Sequence, residues 1–177
     1  MEPMQSLILL VVGADRPGLV RRLAERVQQA GGNWLESRFA HLAGHFAGVA
    51  RVEVPASRCA ELESAMRGLA ADGLTVTVTP TVPGAGGVAG ESWWVELVGH
   101  DRPGIVHQVS AVLQRHGVNI EELETGTEQA AQTNDRLFRA RARVTVPVGV
   151  MPGDLRRDLE AIAAELMVDL TLQREGR

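Results

Sequence analysis

The chain has 177 residues, of which 45% are hydrophobic and 23% charged, and it carries a formal net charge of −4. All 18 basic residues are arginine, which removes Schiff-base lysines and phosphate-loop lysines from consideration. The single cysteine, Cys59, excludes an intrachain disulfide and a cysteine metal cluster, and no apolar run approaches the ~20 residues that span a bilayer. In chain order, residues 5–12 read as a buried strand, preceded by a segment without basic residues that is unlike a secretory signal. The phrase Val12-Gly13-Ala14-Asp15-Arg16-Pro17-Gly18-Leu19-Val20 follows, and a helix starts in it. Leu19, Leu23 and Val27 repeat along one helix face, Pro17 suits the first helical turn, and Gly31 suits the position that ends the helix. Residues 34–42 and 46–54 predict a hairpin turning at Gly44. Leu62, Met66 and Leu69 then form a second helical stripe, and residues 74–79 a closing strand.

The same order recurs in the second half. The phrase returns as Val98-Gly99-His100-Asp101-Arg102-Pro103-Gly104-Ile105-Val106, preceded by a strand at 92–98. Ile105, Val109 and Leu113 make its helix face, Pro103 suits the first turn and Gly117 the end. The hairpin that follows is expected to have a longer, polar tip at 128–135. Leu155, Leu159, Ile162 and Leu166 make the second helix, with Asp154 as its N-cap, and residues 167–172 close the unit. The offset between copies is 86 through Asn33 and Asn119, then 92 from Val52-Glu53-Val54-Pro55 against Val144-Thr145-Val146-Pro147. At that offset Leu74, Val76 and Val78 match Leu166, Val168 and Leu170. Residues 80–90 are too rich in Gly and Pro for an element interior. The expected division is therefore 1–80, a linker at 81–91, and 92–177.

Strand, helix, strand, strand, helix, strand is the ferredoxin-like βαββαβ unit. An α+β fold follows, with two four-stranded antiparallel sheets, each carrying two helices on one face. The doubled Gly-x-Asp-Arg-Pro-Gly phrase, with the later glycine and Asn33 or Asn119, resembles the ACT domain, a small regulatory ligand-binding module. Among tandem members, Asn119-Ile120-Glu121-Glu122-Leu123-Glu124-Thr125, Leu137-Phe138-Arg139-Ala140 and Asn33-Trp34-Leu35-Glu36-Ser37-Arg38 are similar to the glycine cleavage system transcriptional repressor group. Trp34 departs from the β-branched residue usual there. The residues offer no catalytic constellation and a cytoplasmic chain is the default expectation, while the resemblance implies an amino-acid-sensing regulator without a cofactor. It further implies a ligand of glycine's kind, a homodimer, and a protein partner such as a transcription factor. In ACT proteins the ligand commonly lies where two ACT domains meet. The same pair of domains heads phosphoserine phosphatases, so a regulatory subunit of a serine or folate pathway enzyme is the alternative, and a ligand-free dimerisation module a further one.

The residues supply a physical reason for a ligand. Free N–H groups at a helix start beside Pro17, Gly18 and Leu19 can hold a carboxylate, Asp15 can accept an ammonium, and Asn33 offers donor and acceptor. Asp101, Pro103, Gly104, Ile105 and Asn119 repeat the set. Turn chemistry alone would also choose Asp, Pro and Gly, so a purely structural role stands beside this one. Net charge and the mixing of acids with arginines argue against direct nucleic-acid binding, and no membrane segment is expected. Arg139, Arg141 and Arg143 share one strand face, either solvated or facing a partner. Adjacent Trp93 and Trp94 must point to opposite faces, one of them into the core. His41 and His45 fall on a hairpin rather than a helix, a poor metal arrangement. His100, His107 and His116 read as surface or turn residues, and Cys59 as a small boundary residue.

Overall fold

Alternation along the first strand decides which face is covered. In the computed structural model, which describes residues 2–81, 87–129 and 135–176, β1 (Met4–Ala14) buries Leu7, Leu9 and Val11 while Leu10 and Val12 stay exposed. Helix α1 (Leu19–Gln29) lays Leu19, Leu23 and Val27 on that buried face, and α2 (Cys59–Arg67) adds Leu62 and Met66. Strands β2 (Asn33–Leu42), β3 (His45–Pro55) and β4 (Leu74–Pro80) complete a sheet of order β2-β3-β1-β4, with every neighbouring pair antiparallel.

The second unit repeats this with β5 (Gly90–His100), α3 (Ile105–Arg115), β6 (Asn119–Gln129), β7 (Arg136–Pro147), α4 (Pro152–Leu166) and β8 (Val168–Arg174), in sheet order β6-β7-β5-β8. Two separate units result, Met1–Ala85 and Gly86–Arg177. Each is the ferredoxin-like α+β unit that the hydrophobic periods predicted. Trp93 enters the second core, and Trp94 lies on the opposite face under Arg141, whose guanidinium carbon stands 4.0 Å from the ring centre.

Several boundaries differ from expectation, each for a local reason. Pro17 and Pro103 lie ahead of the helices, because Gly18 and Gly104 take φ values of 89° and 93° and serve as N-caps; a left-handed residue cannot sit inside a helix. Asp154 is not the N-cap of α4, since Pro152 takes the first helical position and moves the cap to Met151; Asp154 sits in the first turn and pairs with Arg157 at 3.0 Å. Leu69 is buried, but it belongs to a 3-10 turn (Gly68–Asp72) that follows α2. Gly90 is the first residue of β5 rather than linker, pairing with Pro147. Of the expected polar hairpin tip, residues 130–134 lie outside the described ones, and the flanking strands run to Gln129 and from Arg136.

The closing strands also change the repeat register. Gly13 pairs with Leu74 and Gly99 with Val168, so Val168, Leu170 and Leu172 are the equivalents of Leu74, Val76 and Val78, an offset of 94 rather than 92 (168 − 74). Met167 is not in the strand. It ends α4 in the left-handed region at φ 53°, where the first unit has Gly73 at φ 78°.

His116 is more than a turn residue. Its Nε2 lies 2.9 Å from Asp158 Oδ2, tying the end of α3 to α4, with the imidazole mostly covered. That hydrogen bond, opposed by partial burial and helped by Arg157, holds the Asp158 carboxyl below the usual carboxylate range. A depressed folded-state value contributes stability above the unfolded value of about 3.9 and loses it as pH falls through the folded value. Asp158→Asn should therefore lower the urea midpoint at pH 6, with the two proteins converging as the pH falls through and below the depressed folded-state value, where both states of the wild type are protonated.

Candidate ligand site

The repeated phrase folds the same way twice. β1 runs one residue short of Asp15, whose N–H donates to the Gly44 carbonyl at 2.9 Å, and β5 ends before Asp101, whose N–H donates to the Arg136 carbonyl at 2.9 Å. Each aspartate is thus pinned to its own hairpin end. The helix ladders begin with Arg22 N–H to the Gly18 carbonyl and Gln108 N–H to the Gly104 carbonyl. First-turn N–H groups ahead of these have no intrahelical acceptor. Gly18 opens onto free space, whereas the Gln108 side chain lies beside Gly104.

Side chains within the phrase divide by role. Leu19 and Ile105 are core residues, 4% and 3% exposed, so only the backbone of Leu19 could meet a ligand in solvent. Asp15 and Asp101 are accessible, and each faces a basic group that the sequence reading did not place beside it. His41 Nε2 stands 3.5 Å from Asp15 Oδ2, and Arg136 Nη1 stands 3.8 Å from Asp101 Oδ2. The signal was present in the hairpin register, which returns Ala14 beside His45 and His100 beside Leu137. His45 itself places Nδ1 3.2 Å from the Ala43 carbonyl. No group of three or more His, Cys, Asp or Glu side chains capable of holding a metal occurs among the described residues.

The two asparagines do not join the aspartates within a unit. Asn33 is level with Glu53, and Glu53 with Ser6. Ser6 is nine residues before Asp15, so Asn33 lies roughly 30 Å away at ~3.3 Å per residue. Asn119 is likewise level with Thr145 and Ser92, and its amide donates to Glu121 Oε1 at 2.6 Å. The physical reason is direction: β2 runs parallel to β1 two strands away, so its start lies at the end of the sheet opposite the phrase.

The arginine row is internally matched. Arg139 pairs with Glu128 at 2.6 Å, Arg141 with Glu96 at 3.1 Å and Arg143 with Glu122 at 2.8 Å. The hydrogen bond that Arg143 donates to Glu122, together with nearby carboxylates, raises the Arg143 pKa further. A face neutralised strand by strand is a poor footprint for phosphate.

Comparison with known proteins fits this doubled geometry. ACT domain models match residues 5–79 and 93–165. The chain belongs to the ACT domain family. As a tandem ACT protein it is 27% identical over 168 residues to the glycine cleavage system transcriptional repressor of Escherichia coli strain K12, an alignment covering 90% of this chain and 85% of that one. A crystal structure of a protein of unknown function from Galdieria sulphuraria is 29% identical, covers 98% of this chain and 100% of its own, and superposes with a TM-score of 0.82. A crystal structure assigned to a glycine cleavage system transcriptional repressor, 20% identical, shares the fold at a TM-score of 0.74 over 98% of this chain and 99% of that one. Both ACT domains therefore belong to a regulatory lineage. No helix among the described residues is long and apolar enough to cross a membrane.

Proposed function

We propose that this tandem ACT protein senses a free small amino acid and regulates transcription through a protein partner, in the manner of a glycine cleavage system regulator. The observation that carries the reading is the twice-built turn, in which an accessible aspartate adjoins first-turn N–H groups of a helix. That pairing matches an ammonium and a carboxylate on one small molecule. The similarity to the Escherichia coli repressor over 90% of this chain supports the regulatory output. The in-sheet pairing of Arg139, Arg141 and Arg143 favours a protein partner over direct DNA contact.

Asn33 and Asn119 take part only across an assembly, because each lies at the far end of its own sheet. β2 and β6 are edge strands. A second copy of this chain set antiparallel along such an edge would bring its asparagine beside the aspartate turn, which makes the working form a homodimer. The test is thermal unfolding with a panel of amino acids. A ligand at 100 times its dissociation constant stabilises by about 2.7 kcal/mol, a rise of several degrees, while no change with any amino acid would remove the sensing reading.

A further inference from the structure

The two ACT domains fill the space between first helix and sheet differently. In the first, Phe39 lies opposite Gly48, stacks on Phe46 with ring centres 4.8 Å apart, and reaches Trp34 at 6.2 Å. A side chain at Gly48 would collide with the Arg38 carbonyl as well as with the Phe39 ring, so the bare glycine lets β2 and its aromatic plug lie close to β3. In the second domain the same register positions hold Thr125 opposite Ala140, and Ile120 in place of Trp34. Phe138 keeps the place of Phe46 without a stacking partner from β6. The unfilled space is a cavity of about 40 Å³ between α3 and the sheet, walled by Leu97, Ile105, Val109, Ile120, Leu123 and Ala140 among others. The second core is correspondingly divided into two clusters, bridged by Val109, Ile162 and Leu170, where the first is continuous.

A polar pair sits beside this cavity. Asp101 and Arg136 are joined through the backbone, yet their side chains stand 3.8 Å apart, too far for a tight bond. Arg136 is one same-face step, about 7 Å, along β7 from Phe138, which lines the cavity. Ile105, another wall residue, is four positions after Asp101.

We propose that the second domain binds a free aliphatic amino acid, with the ammonium on Asp101, the carboxylate on Arg136 and the branched side chain in the α3 cavity. This rests on the amino-acid-sensing reading and names its ligand class. An opposed carboxylate and guanidinium match a zwitterion with no net change in charge. The walls are apolar and the volume takes a few carbon atoms, whereas benzene occupies a cavity of about 150 Å³, so aromatic amino acids are excluded. In the first domain His41, from β2, faces the aspartate, and Phe39, Phe46 and Trp34 occupy the corresponding space.

The test is calorimetric titration of the full chain with L-leucine, L-valine, L-phenylalanine and glycine. Leucine or valine should bind at least tenfold tighter than glycine, and phenylalanine should not compete. The double variant Thr125→Phe with Ala140→Gly copies the plug of the first domain and should abolish the aliphatic preference while glycine still binds. Leu123→Phe fills the cavity from a second side and should do the same if the double variant fails to fold. Arg136→Gln should weaken leucine and glycine alike by about tenfold. Equal binding of leucine and glycine, unchanged by filling, overturns this assignment and leaves amino-acid sensing standing. No binding by any of the four overturns both.

Discussion

Replacing Gly13 by valine is expected to destabilise the first domain by about 3 kcal/mol, the upper end for overfilling a packed site. A side chain there would fall on the Gly73 carbonyl oxygen and within 2.8 Å of Leu74 Cδ2. The first obstacle is backbone, held by the pairing of Gly13 with Leu74, and it cannot rotate aside. At Gly99 the nearest obstacle is instead the Val168 side chain, with the Val168 backbone just behind it. Gly18, five residues on from Gly13 in the phrase Gly-x-Asp-Arg-Pro-Gly, has no neighbour within 4 Å but a φ of 89°. Gly18→Ala should therefore cost only the conformational term of about 1–2 kcal/mol. Urea unfolding followed by Trp34 fluorescence and circular dichroism separates the two effects. A Gly13→Val protein as stable as Gly18→Ala would show that the close approach of β1 to the α2–β4 junction is not structurally required.

The two glycines show why one phrase was so readable. Each constraint acts within a few residues or one strand pairing, so composition and period expose it. The alternating and helical apolar patterns carried the βαββαβ order for the same reason. What was not legible depended on distance across the sheet. Asn33 follows the phrase closely in sequence, but an intervening helix returns the chain to the other end of the sheet before β2 begins. Arg136 and His41 were hidden because their placement follows from hairpin register. The 94-residue offset of the last strand was missed because Leu166 is apolar and buried like a strand residue, although it ends α4. Trp34 against Ile120 was visible as a difference, yet its consequence, a plugged core against an open one, required the pairing of Phe39 with Gly48.

Removing either aspartate carboxylate is expected to weaken ligand binding at its own turn by roughly 10- to 100-fold, the equivalent of a charge-assisted hydrogen bond of about 1.5–3 kcal/mol. Both groups are accessible, and among the described residues their side chains pair with His41 and Arg136 at long range, so Asp15→Ala and Asp101→Ala should leave folding nearly unchanged. That separation of binding from stability distinguishes a ligand site from a turn chosen only for its geometry. The two variants are not equivalent. Arg136 beside Asp101 carries a permanent charge in a planar fork that can hold a carboxylate, where the first turn has His41, so Asp101→Ala should have the larger effect.

The most direct test of amino-acid sensing by the doubled turn is calorimetric titration of the full chain beside Asp15→Ala and Asp101→Ala, with unfolding curves recorded on the same samples. The expected result is saturable binding of a free amino acid by the wild type, weakened at least tenfold in Asp101→Ala with an unchanged unfolding midpoint. Binding that is identical in all three proteins, or absent from the wild type for every amino acid tried, would contradict it.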